Sequence, residues 1–154
     1  MKIEKLDPLE LIPTESPHKI ETINSLISLY EDPEIDLDRR IPFAFVHYVR
    51  KRGLYVVDGN HKIGVAQLYS QGVNCIFLNT FRDLSDSYVM RDLGLIPYFN
   101  FGFPIEKTLP YLSRKLPLVH EEIVRPMEIE TFRDFAQIIS WMIESGDVQV
   151  KKAA

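Results

Sequence analysis

Apolar residues recur along this chain with two different periods, and the places where one period gives way to the other mark its elements. Over residues 19–30, Ile20, Ile23, Ile27 and Tyr30 fall at helical spacing while Leu26 and Leu29 widen the stripe, which predicts an amphipathic helix. Residues 41–48 (IPFAFVHY), 54–57 (LYVV) and 73–78 (VNCIFL) are short β-branched and aromatic runs bounded by turn residues, and they predict strands. Between the second and third of these, residues 61–70 predict a helix. Upstream, residues 5–12 read as a short strand or extended lead-in ending at Pro13, TESP (14–17) as turn chemistry before the first helix, and the polar, proline-broken 31–40 as a loop. The order strand, hairpin turn, strand, tight turn, helix, strand over 41–78 predicts an α/β (α+β) architecture: a mixed sheet with flanking helices.

Past Phe81 the pattern changes. Residues 85–93 predict a helix ended by Gly94, 95–104 (LIPYFNFGFP) are aromatic and punctuated by Gly and Pro, and 105–124 predict one or two short helical pieces broken by Pro110 and Pro117. A last helix over 129–144 carries Phe132, Phe135, Ala136, Ile139 and Met142 on one face and stops at Gly146, and VQVKKAA (148–154) reads as a frayed end. We divide the chain into a core, 1–82, and a helical C-terminal extension, 83–154, whose aromatic stripes need more burial than so small a piece supplies alone; the two are expected to form one compact unit.

Composition narrows the function classes. A chain of 154 residues with a net charge of −4 and a pI near 5.6 is not one that coats nucleic acid by bulk electrostatics, which takes many Lys and Arg contacts to phosphates. Arg39, Arg40, Arg50, Lys51 and Arg52 lie close in sequence to the 58–62 turn and offer a local basic patch there, although solvated loop charges explain them as simply. The single cysteine, Cys75, rules out an intramolecular disulfide and a CxxC pair, and its apolar run predicts a buried, inert thiol. Neither a signal-type apolar segment at the start nor a run long enough to cross a bilayer is found, so a cytoplasmic protein with no membrane partner is expected.

The chemistry concentrates at DGNHK, residues 58–62, where the second strand runs through a turn directly into a helix. A helix start presents N–H groups without intrahelical partners and the positive end of the helix dipole, so a phosphate is stabilised there without a dedicated basic pocket. Gly59 permits the tight turn and close approach of a ligand, Asn60 is the expected N-cap, and His61 and Lys62 fall in the first turn with side chains in reach of the same anion. The plain alternative is that Asp-Gly here is turn punctuation. Elsewhere plain readings prevail: His47 as structural, His120 beside Glu121 and Glu122 as an isolated surface cluster, and Trp141 as packing. The aromatics of 95–104 lack interleaved Lys and Arg, so core packing or a partner interface suits them better than base stacking.

With these residues in view, the segment 6–78 resembles the ParB/sulfiredoxin-like superfamily. The likeness rests on LELIPTES after an N-terminal strand, on RRIPFAFV after a helix, and on DGNHK leading into a helix with small residues and a further strand. In that superfamily the turn binds nucleotide phosphates. Sulfiredoxins place a catalytic cysteine just before the His, where this chain has Asn60, so their chemistry lacks its nucleophile here. The ParB type pairs CTP binding with a helix-turn-helix domain, which nothing after Phe81 resembles.

The branch of free-serine kinases uses a Glu near the N-terminal motif as base on a hydroxyl, and Glu15 of PTES falls there. What this resemblance implies is a nucleotide (ATP, ADP or CTP) held at Gly59, Asn60, His61 and Lys62, with Glu15 and Asp58 catalytic and Asp58 holding Mg²⁺. It leaves room for a small hydroxyl substrate and for a homodimer. The chain departs from the family at Lys62, where Arg is usual, and Lys loses the bidentate fork of Arg. Two other readings stand beside this one: a non-catalytic module whose nucleotide occupancy gates a protein or DNA partner, and a ParB-like nuclease.

Overall fold

Alternation of apolar residues decides the layers. A computed structural model describes residues 1–41 and 43–148, and within them five strands form one mixed sheet in the order β1-β5-β3-β4-β2. The strands are β1 (Ile3–Leu6), β2 (Leu11–Ile12), β3 (Ala44–Val49), β4 (Gly53–Asp58) and β5 (Val73–Phe77). β3 pairs antiparallel with β4 and parallel with β5; β1 closes one edge antiparallel to β5, and β2 closes the other parallel to β4.

Because side chains alternate across a strand, Ala44 and Val46 of β3, Val56 of β4 and Val73, Cys75 and Phe77 of β5 share one face. That face is covered by α1 (Ile20–Glu31), α3 (Asn60–Leu68) and α6 (Phe132–Glu144). Phe45, Ile76, Val49 and Tyr55 point the other way, toward α4 (Phe81–Asp92), the 95–101 segment and α5 (Ile105–Met127). A mixed α/β fold is therefore the architecture, and the first core contains residues from both halves, Val46, Val56 and Ile63 packing with Ile129, Phe132, Phe135 and Ile139. Cys75 is fully buried, with its thiol pushed up to about 12, chiefly by burial.

Several elements differ from the reading of the sequence. The lead-in 5–12 is two strands on opposite edges of the sheet, separated by a 3-10 turn at Pro8–Glu10. The 31–40 loop contains one short helix, α2 (Leu37–Arg40), started by Asp36. α4 begins four residues earlier than 85, at a Thr80–Asp83 capping box. The largest difference is α5, a single 23-residue helix that contains Pro110, Pro117 and Pro126. Each proline deprives the carbonyl four residues earlier of its donor, and those carbonyls belong to Glu106, Ser113 and Glu122, residues on the exposed side of the helix. Trp141, expected to pack, is 57% exposed. Of the end expected to fray, Val148 is buried and residues 149–154 lie outside the described residues, as does Pro42 of the RRIPFAFV stretch. Among the described residues, no helix is long and apolar enough to cross a membrane.

Candidate functional site

Where β4 ends, the chain turns through Gly59 into α3, and the geometry there admits only glycine. Gly59 has φ 103°, which side chains avoid, and a Cβ on it would lie 2.8 Å from Cβ of Ala44 on the neighbouring strand. Gly59, not Asn60, is thus the N-cap of α3, and it has no side chain with which to cap the helix. The first backbone bond of α3 runs from the Ile63 N–H to the Gly59 carbonyl, and among the described residues the N–H groups of Asn60, His61 and Lys62 make no hydrogen bond. Three unbonded donors at the positive end of a helix are an arrangement that favours negative charge.

The Asn60 and His61 side chains, expected to cap and to clamp, are engaged elsewhere. Asn60 is buried; its Oδ1 accepts from the Thr14 N–H at 2.9 Å and its Nδ2 donates to Thr14 Oγ1 at 3.1 Å. Thr14 Oγ1 in turn donates to the Val56 carbonyl of β4 at 2.7 Å. His61 is also buried, its Nε2 accepting from the N–H groups of His18 and Lys19 at 3.3 Å each, where α1 starts. An accepting Nε2 puts the ring proton on Nδ1, and Nδ1 faces Oε2 of Glu15 at 3.6 Å. Phe135 of α6 sets its ring against His61 edge-on, with centroids 5.5 Å apart, and lies on Gly64, where a Cβ would come within 2.2 Å of it. The second glycine of α3 therefore makes room for α6.

These contacts tie residues 13–19 to the α3 start and bring Glu15 alongside it. The His61 side chain is the main reason that the Glu15 carboxyl sits below its usual range; burial opposes this, and Lys19, 3.9 Å away, adds to it. Lys62 is half-buried, and desolvation draws its ammonium below the usual lysine range against the opposing pull of Asp58. Asp58 is exposed at the end of β4. Among the described residues no three or more His, Cys, Asp or Glu are grouped to hold a metal ion, so Mg²⁺ here would have Asp58 as a single carboxylate ligand and draw the rest from phosphate and water.

Not every expected neighbour is present. Arg50, Lys51 and Arg52 lie at the β3–β4 hairpin, the opposite end of β4 from Asp58, about 17 Å away at ~3.3 Å per residue, and so do not form a patch at the turn. Three contributors had no signal in the sequence pattern. Thr14 braces Asn60, Phe135 backs His61, and His120 is not isolated: its Nδ1 donates to the Pro13 carbonyl at 2.8 Å, fastening α5 to the loop that carries Glu15. Neither a protein-family model nor a curated protein matches the chain.

Proposed function

We propose that the protein binds the phosphates of a nucleotide at the open start of α3 and transfers a phosphoryl group to a small hydroxyl compound. The supporting observation is the pairing of an uncapped helix start with a carboxylate fixed beside it: the Asn60, His61 and Lys62 amides are unbonded, and Glu15 is held at the first turn by a loop bound to Asn60 and His61. The motif likeness to the ParB/sulfiredoxin-like superfamily supports the same reading. Main-chain N–H groups and the Lys62 ammonium would take the phosphate oxygens; the Asn60 and His61 side chains hold the frame.

In the transfer step an acceptor hydroxyl oxygen forms a bond to the terminal phosphorus as the bridging P–O bond breaks, and the nucleotide leaves one phosphate shorter. The hydroxyl proton passes to the Glu15 carboxylate. A carboxylate below its usual range is a weak base but a firm hydrogen-bond acceptor, which suits a loose transition state that needs orientation more than deprotonation. Mg²⁺ at Asp58 would link that carboxylate to the phosphates and remove their mutual repulsion.

Thermal melting with ATP, ADP, CTP or inorganic phosphate, with and without Mg²⁺, tests binding, since a ligand of the native state raises the melting temperature. A shift specific to one nucleotide is expected. Glu15→Gln should keep that shift and lose transfer to serine and related hydroxyl compounds; no shift with any of the compounds refutes the reading. A gating module is the second reading, favoured by the hydrogen bonds that join the turn to the start of α1 and so give an occupied site a route to move that helix. It predicts the same shift, no transfer, and no effect of Glu15→Gln on either.

A further inference from the structure

An open cavity of about 570 Å³ lies beside the β2–β4 edge, under the end of α5 and the start of α6. Its size is that of small-molecule sites, and Ile12, Tyr55 and Val124 give it apolar walls. Two charged residues on its lining are unspent. Arg125, in the last turn of α5, and Glu130, in the connection to α6, have no side-chain hydrogen bond or ion pair among the described residues, not even with each other. The other opposite charges there, Arg52 and Glu121, already face one another at 3.9 Å. His120 has committed Nδ1 to the Pro13 carbonyl, which leaves Nε2 as the ring nitrogen available to an occupant.

Two arginines against two glutamates give the lining no net charge apart from His120, which disfavours a polyanion such as a nucleotide. An apolar body with one anionic and one cationic group matches all three features at once. We infer that this cavity binds a small zwitterion with an apolar body, of the class of α-amino acids with aliphatic or aromatic side chains. The carboxylate meets Arg125, the ammonium meets Glu130, and the side chain lies against Ile12, Tyr55 and Val124. The inference does not rest on nucleotide binding at α3.

The test uses the full chain, labelled with nitrogen-15, titrated with L-phenylalanine, phenylacetate and phenethylamine, which share one ring and carry both charges, the anion only and the cation only. L-Phenylalanine should shift the amide signals of Tyr55, Val124 and Glu130 along a saturating curve, and each single-charge analogue should bind about fivefold more weakly, as expected for loss of one exposed ion pair. Val124→Trp fills the cavity and should abolish the shifts. Arg125→Glu, on an exposed side chain that leaves folding unaffected, should weaken L-phenylalanine at least as much as removal of its carboxylate does, and the exchange Arg125→Glu with Glu130→Arg should recover binding. Absence of saturating shifts at these residues, equal binding of all three compounds, or unaltered binding in Arg125→Glu each overturns the inference.

Discussion

The α3 and α4 helices both leave the sheet from the end of a strand, yet their first turns are built on opposite plans. At α4 the Thr80 side chain accepts the Asp83 N–H at 3.0 Å, and Asp83 Oδ2 accepts the N–H groups of Thr80 and Asn79, so the start is capped and negatively charged. α6 follows the same plan in part, with Asp134 Oδ2 accepting from Glu130 and Thr131. At α3 the cap is a glycine, and the position of Asp83 and Asp134 is taken by Lys62. A capped start offers an anion fewer free donors, the Phe81 and Arg82 N–H groups at α4, and sets a carboxylate beside them that repels it. A start capped by glycine forgoes roughly a few tenths of a kcal/mol of local stabilisation, and at α3 the rest of the protein holds it. Here that support comes from Gly59 against Ala44, the Asn60–Thr14 pair, and His61 under Phe135.

Removing the external support should do the most damage. Phe135→Ala is expected to cost about 3–5 kcal/mol in chemical denaturation, and amide exchange should accelerate at the start of α3 while the α4 start stays protected. Gly59→Ala should cost about 1–3 kcal/mol from the positive φ alone, and more from the contact with Ala44, in the same measurement. Lys62→Asp gives α3 the third-position acid of α4: the melting temperature should hold or rise, whereas nucleotide affinity, read by calorimetry, should fall at least tenfold, about 1.4 kcal/mol. Thr80→Ala should lower stability by about 1 kcal/mol and leave nucleotide affinity unchanged, since that cap serves only its own helix.

The smallest effect concerns pH. His47 is buried, its Nδ1 donating to the Leu78 carbonyl at 2.6 Å and its Nε2 accepting from Ser113 Oγ at 2.7 Å, and desolvation holds it below the ordinary 6.5. The unfolded chain therefore takes up the proton first, so stability is full above pH ~6.5 and declines as pH falls below it. Denaturation midpoints between pH 7.5 and 5.5 should show this slope, and His47→Gln should flatten it. Glu15 acts in the same sense lower down: its depressed value gives stability that is present above 4.5 and lost as pH falls through the folded-state value.

The sequence by itself determined what depends on neighbours along the chain. The stripe of α1, the alternation in β3, β4 and β5, the strand–turn–helix at 58–62 and the burial of Cys75 follow from periods of 3.6 and 2 and from local turn chemistry. The Thr80–Asp83 box is local too, spanning three residues, yet the reading of the sequence starts that helix at 85 and misses it. Only the tertiary structure decided which side chains the turn keeps for itself. Asn60 is drawn away from capping by Thr14, 46 residues earlier, and His61 is turned toward α1 by N–H groups 43 and 42 residues away.

No periodicity encodes such pairings, because they arise where two stretches meet after each has satisfied its own local preferences. The lead-in split between β1 and β2 was hidden for a related reason: its residues pair with opposite edges of a sheet, Leu6 with Val73 on one side and Leu11 with Leu54 on the other, partners far along the chain. The unbroken α5 was hidden because a proline's cost depends on whether the carbonyl it orphans faces water, and burial is a property of the assembled fold.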